Sequence, residues 1–127
     1  MKIYIVFFIT FFITLSEISG QKKSEENLFI KSKIFDFGNV KSDTLLNARY
    51  YLINNGKKDI KINYVNPECS CTSYFVSNYV INPNDSIYID LFFDTRQNFG
   101  EQKIYAIVNA NTKAKMYKLT LKANIKK

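Results

Sequence analysis

Strict alternation of apolar and polar residues restricts this chain to β-structure. From Ser86 to Asp94, Ile87, Ile89, Leu91 and Phe93 fall on one side, and Tyr88, Asp90 and Phe92 on the other. Successive side chains of a strand point to opposite faces, so a period of two sorts these residues cleanly, whereas a helix would mix them. The pattern recurs from Leu45 to Ile53, with Ala48, Tyr50 and Leu52 opposed to Arg49, Tyr51 and Ile53. It recurs again from Ile60 to Val65, from Lys103 to Val108 (Ile104, Ala106, Val108 inward) and from Met116 to Ile125 (Tyr117, Leu119, Leu121, Ala123, Ile125 inward). No segment sustains a period of 3.6, and there is no internal repeat.

The punctuation between these runs is that of short strands. Ile34 to Gly38 is expected as a strand ending at the glycine, with a turn over Asn39 to Asp43. Asn54-Asn55-Gly56 reads as a reversal, because Asn and Gly both tolerate positive φ. Ser73 to Val80 is aromatic-rich and irregular, Ile81 to Ser86 is a turn built on Pro83, and Thr95 to Gly100 is a loop. About seven short strands with turns every eight to twelve residues predict an all-β, immunoglobulin-like sandwich with antiparallel pairing. An antibody-type domain is excluded, because the chain has no Trp and its two cysteines are too close together to bridge two sheets.

Ahead of this domain, Met1-Lys2 supplies a basic start, Ile3 to Leu15 an apolar run, and Ser16 to Gly20 a small, polar end. That is the layout of a secretory signal, with residues 1–20 removed after Gly20. The run is shorter than the roughly 20 residues of a spanning helix, so no stable membrane span is expected after cleavage. No cysteine near the cleavage point offers a thiol to a lipid. Residues 21–28 read as a flexible linker and 29–127 as one domain, since about a hundred residues suffice for a single core. The expected location is the periplasm, the outer-membrane surface or the extracellular space.

The formal net charge is +7. A basic balance suits nucleic acid, an anionic envelope surface or acidic glycans. Export argues against nucleic acid, and the scattered lysines alternate with apolar residues as on a solvated sheet face. The charge thus reads as plain solubility ahead of a functional anionic partner, and the partner expected of an exported module is an envelope protein or a glycan.

The stretch Ile62-Asn-Tyr-Val-Asn-Pro-Glu-Cys-Ser-Cys-Thr72 holds both cysteines. It reads as a strand end that bends at Pro67 and presents Cys69 and Cys71 together. In an extended strand their Cα atoms would lie about 6.6 Å apart, at the far end of disulfide geometry, so a bridge needs the bend. Three uses of the pair stay open: a local disulfide or small packing residues, a redox pair, or a thiolate site for copper. Two cysteines supply half of a tetrahedral site, and without histidine a third ligand would have to come from Met116, Glu68 or another chain.

Through several of these landmarks together, the chain resembles a known family. Phe35-Asp-Phe-Gly38, Tyr50-Tyr-Leu-Ile-Asn-Asn-Gly56, Val65-Asn-Pro-Glu-Cys-Ser-Cys-Thr72, Ile81-Asn-Pro-Asn-Asp85 and Ile89-Asp-Leu-Phe-Phe-Asp-Thr95 look like the bacterial domain-of-unknown-function family numbered 1573. That family is common in exported proteins of the Bacteroidetes and is similar to immunoglobulin-like domains of ciliary and spindle-associated proteins. The likeness covers about Ile34 to Ile125. It departs from the family at Ser70 and Asn84, where glycine is usual. What it implies is a sandwich fold, with no activity attached.

Catalysis is not expected. The chain has no histidine, which removes the usual base for a Ser or Cys nucleophile. Asp90 and Asp94 fall about 13 Å apart on one strand face, too far for paired-carboxylate chemistry. The candidate interaction face is aromatic: Tyr51, Tyr88, Phe92 and Tyr105 all point to the solvent side of their strands. They either stiffen the sheet by cross-strand pairing or dock a partner protein, a glycan or a second copy.

Overall fold

The computed structural model describes residues 27–127. The expected signal segment (1–20) and nearly all of the expected linker (21–28) lie outside the described residues. Leu28, the end of that linker, is already buried in the first strand.

Among the described residues nine strands form two facing sheets: β1 (Leu28–Ile30), β2 (Ile34–Lys41), β3 (Leu45–Asn54), β4 (Ile60–Pro67), β5 (Thr72–Val76), β6 (Val80–Ile81), β7 (Ser86–Asp94), β8 (Gly100–Ala110) and β9 (Met116–Lys126). The four-stranded sheet runs β1-β3-β7-β5 and the five-stranded sheet β2-β9-β8-β4-β6. This is the expected sandwich. Among the described residues no helix is long and apolar enough to cross a membrane.

Alternation builds the core. Leu46, Ala48, Tyr50 and Leu52 of β3 and Ile87, Ile89, Leu91 and Phe93 of β7 are buried from one sheet. Ile104, Ala106 and Val108 of β8 and Leu119, Leu121, Ala123 and Ile125 of β9 meet them from the other. Each large side chain fully removed from water here contributes about 1.5–3 kcal/mol. The Tyr50 hydroxyl crosses this layer and donates to the Thr120 carbonyl at 2.5 Å, tying β3 to β9. Burial pushes the Tyr50 phenol well above its ordinary pKa.

Four expectations are corrected. Strand count and direction differ: there are nine strands rather than about seven, and β2 runs parallel to β9, with Ile34 opposite Thr120. The chain enters the four-stranded sheet as β1 and crosses at Ser32–Lys33 to the other sheet, which sets that direction. β2 does not stop at Gly38. It bulges there instead, with a register shift between Asp36 and Asn39 and the glycine at φ +70°.

The aromatic stretch after the cysteines is not irregular, because Thr72–Val76 pairs with β7 and Val80–Ile81 with β4. Finally, Asn54-Asn55-Gly56 is not a hairpin turn. It carries the chain from one sheet to the other, and neither Asn55 nor Gly56 has positive φ. Asn54 is fully buried at this crossing. Its side-chain nitrogen donates to the carbonyls of Lys58 (2.7 Å) and Ile81 (2.8 Å), and its oxygen accepts from Gly56 N–H (2.8 Å).

The Pro83 turn is as expected. Asp85 N–H donates to the Asn82 carbonyl at 3.0 Å, and Asn84 takes φ +65°, the left-handed conformation that glycine or asparagine holds at low cost.

Candidate functional site

The cysteine turn joins the two sheets. β4 of the five-stranded sheet ends at Pro67, and β5 of the four-stranded sheet starts at Thr72. Between them the turn is pinned to β8 from both sides of Glu68. Glu68 N–H donates to the Tyr105 carbonyl (2.9 Å), and Tyr105 N–H donates to the Glu68 carboxylate (2.8 Å). Thr72 N–H closes the turn on the Cys69 carbonyl at 3.0 Å, and Cys71 N–H points at the Cys69 sulfur at 3.1 Å.

This tight path brings the Cα atoms of Cys69 and Cys71 to 5.1 Å, and the two are disulfide-bonded. Both are half-buried against the core. Ser70 between them does not have positive φ, so the family's usual glycine is not needed there.

As a bridge, the pair offers no thiolate. Of the third ligands considered above, Glu68 is engaged with Tyr105, and Met116 sulfur accepts from Asn109 at 3.3 Å and Tyr64 at 3.8 Å. Among the described residues, no three His, Cys, Asp or Glu side chains come together. The two carboxylates of β7 are each held by an arginine: Asp90 by Arg49 at 2.8 and 3.0 Å, Asp94 by Arg96 at 2.5 Å. Arg96 also holds the Asp94 carboxyl below its ordinary pKa.

The aromatic residues divide between the sheets. Tyr51 and Tyr88 are directly opposite on β3 and β7, with ring centroids 6.3 Å apart. Phe92 lies on the same outer face, half-buried between Asn47 and Ser73. Tyr105 is on the outer face of the other sheet, beneath the Lys118 ammonium at 4.4 Å, so it does not join the other three.

Two rings that strand patterning left out complete the face. Phe75 of β5 sits 6.2 Å from Tyr88 and is 51% exposed, and Phe29 of β1 is 50% exposed opposite Ile53. Arg49 lies at the centre. Its guanidinium stacks 3.7 Å over the Tyr88 ring while pairing with Asp90 beneath. Asp90 therefore points outward as the period of two demands, yet it is buried, because Arg49 and its neighbours roof it over.

The family model described as "Protein of unknown function (DUF1573)" matches residues 28–125. The chain belongs to that family. No curated protein matches it. Among solved structures it is similar to a protein of unknown function from Porphyromonas gingivalis W83, with 13% identity and a TM-score of 0.69 over 84% of this chain and 52% of that one. It is also similar to an ASH/PapD-like domain of human CEP192 (12% identity, TM-score 0.64, 84% of this chain and 90% of that one). A third is the YadV chaperone (13% identity, TM-score 0.57, 80% and 53%). The chain thus spans about half the length of the Porphyromonas gingivalis protein. At such identities these likenesses speak for the fold of the family member, an immunoglobulin-like sandwich, and not for its work.

Proposed function

We propose that the protein is an exported, non-catalytic module that docks another protein in the cell envelope through the outer face of its four-stranded sheet. The carrying observation is that face itself. Tyr51, Phe75 and Phe29 expose 44%, 51% and 50% of their surface around the Arg49–Tyr88 stack. Aromatic residues and arginine are the side chains most enriched where proteins bind one another. An arginine already oriented by Asp90 and Tyr88 also loses little freedom on binding. The absence of histidine and the two arginine-held carboxylates support a binding role over a catalytic one. The leader-like start of the chain supports export.

The test is capture of a partner from the native envelope by the purified protein and by the Tyr51→Ser/Phe29→Ser variant. Both rings are exposed, so the variant should melt within a few degrees of the parent and lose the partner. Equal capture by both would overturn the reading.

A further inference from the structure

β5 ends the four-stranded sheet, and among the described residues no strand pairs with its far side. Residues of an antiparallel strand alternate between those bonded to the neighbour and those whose N–H and C=O point away from it. The Cys71 carbonyl accepts from Asp94 N–H at 3.2 Å, and Ser77 N–H donates to the Tyr88 carbonyl at 2.9 Å. The odd-numbered residues of β5 therefore face β7. The main-chain groups of Tyr74 and Val76 point off the sheet, together with the Thr72 carbonyl. The Thr72 N–H is already used by the Cys69 carbonyl.

Open edges are normally blunted by lysine, proline, a bulge or shortness. The other edges here obey that rule. β1 has three residues and β6 two, while β2 carries Asp36, Lys41 and the bulge at Gly38. β5 has no such protection. Cys69 to Asn84 is the longest run without a charged residue in a chain of net charge +7. Tyr74 and Phe75 stand 41% and 51% exposed along it.

We infer that β5 is a self-pairing edge, through which two copies of this chain join antiparallel about a twofold axis at Tyr74. The two four-stranded sheets then become one continuous sheet. A second copy fits better than a foreign strand for two reasons. The edge is self-complementary: with Tyr74 opposite its twin, the two exchange N–H···O bonds, and each Val76 N–H meets the other copy's Thr72 carbonyl. The donor that Thr72 lacks falls where only the off-sheet Val76 carbonyl would have used it. Charge adds the second reason. Two cationic copies repel wherever lysines meet, and this uncharged strip lets them touch without that cost. On the outer face, Phe75 of one copy falls beside the small Ser73 of the other.

Self-pairing does not depend on the aromatic face having an envelope partner, and either can fail alone. Sedimentation of the purified protein over a concentration series should show the mass rising toward twice that of a single chain. Over the same range, amide exchange at Tyr74 and Val76 should slow, while Ser73 and Phe75 stay protected throughout. Tyr74→Pro removes a donor that points away from β7 and should weaken the dimer at least tenfold with the fold intact. Ser73→Lys, which sets two like charges near the axis, should do the same and decides the matter if the proline variant fails to fold. A monomer at every concentration would overturn the inference. So would a dimer whose Tyr74 and Val76 amides exchange freely, or one that Ser73→Lys leaves unchanged.

Discussion

Replacing Asn54 by alanine takes three hydrogen bonds of a fully buried side chain out of the crossing between β3 and β4. At about 0.5–1.5 kcal/mol each, with the Lys58 and Ile81 carbonyls and the Gly56 N–H left short of a partner, the loss sums to about 2–4 kcal/mol. For a domain of this size that lowers the melting temperature by roughly 10–25 °C. Urea unfolding at pH 7 measures it directly. Asn54→Asp sharpens the test. Its oxygen can still accept from Gly56, but a carboxylate would face two carbonyl oxygens where the amide donated. Its folded-state pKa must therefore lie above the unfolded value of about 3.9. A group raised in this way contributes its stability below the unfolded pKa and loses it as pH rises through the folded pKa. Asn54→Asp should thus be worse than Asn54→Ala at pH 7 and recover on acidification. A loss under about 0.5 kcal/mol for the alanine variant, or an aspartate variant indifferent to pH, would refute the hydrogen-bond account of this crossing.

Tyr50 sets an alkaline limit. Its buried phenol is pushed up, so its contribution is intact below the unfolded phenol pKa of about 10 and drains away as pH rises toward the folded value. Thermal melts above pH 10 should show the decline, and Tyr50→Phe should flatten it while costing about 1–2 kcal/mol at neutral pH. Thiol titration of the unfolded protein should find no free thiol before reductant and two after it. Cys69→Ser/Cys71→Ser should lose only about 1.6 kcal/mol, because a three-residue ring constrains the unfolded chain little. Restoring the family's glycine should have opposite results at its two missing positions. Ser70→Gly should cost about 0.5–1 kcal/mol, since no positive φ repays the added freedom. Asn84→Gly, at φ +65°, should be neutral or mildly stabilising.

The strands that alternate strictly were legible from residue order alone. β7 has the expected bounds, and β3, β8 and β9 are extended by only a few residues, because burial on one face is what the pattern records. What stayed hidden depends on contacts remote in sequence. Gly38 looks like a terminator, yet the parallel partner β9 carries the strand past it as a bulge. Asn54-Asn55-Gly56 has hairpin composition, but its path is set by a buried amide reaching Ile81. At the aromatic face, Tyr51, Tyr88 and Phe92 were readable as outward-facing. That Tyr105 belongs to the other sheet was not, since alternation gives a face and never says which sheet. Arg49 and Asp90 could have been paired by noticing opposite charges at outward positions of two adjacent strands.

The parallel seam between β2 and β9 joins Ile34–Lys41 to Thr120–Lys126, near the two ends of the described residues. Such a seam cannot be sewn while the chain is still being made. Until Thr120 and its neighbours leave the ribosome, Ile34 and Phe35 have nothing to lie against, and the larger layer stays ajar. Closing that layer is therefore a late step, because so non-local a pairing is slow to form.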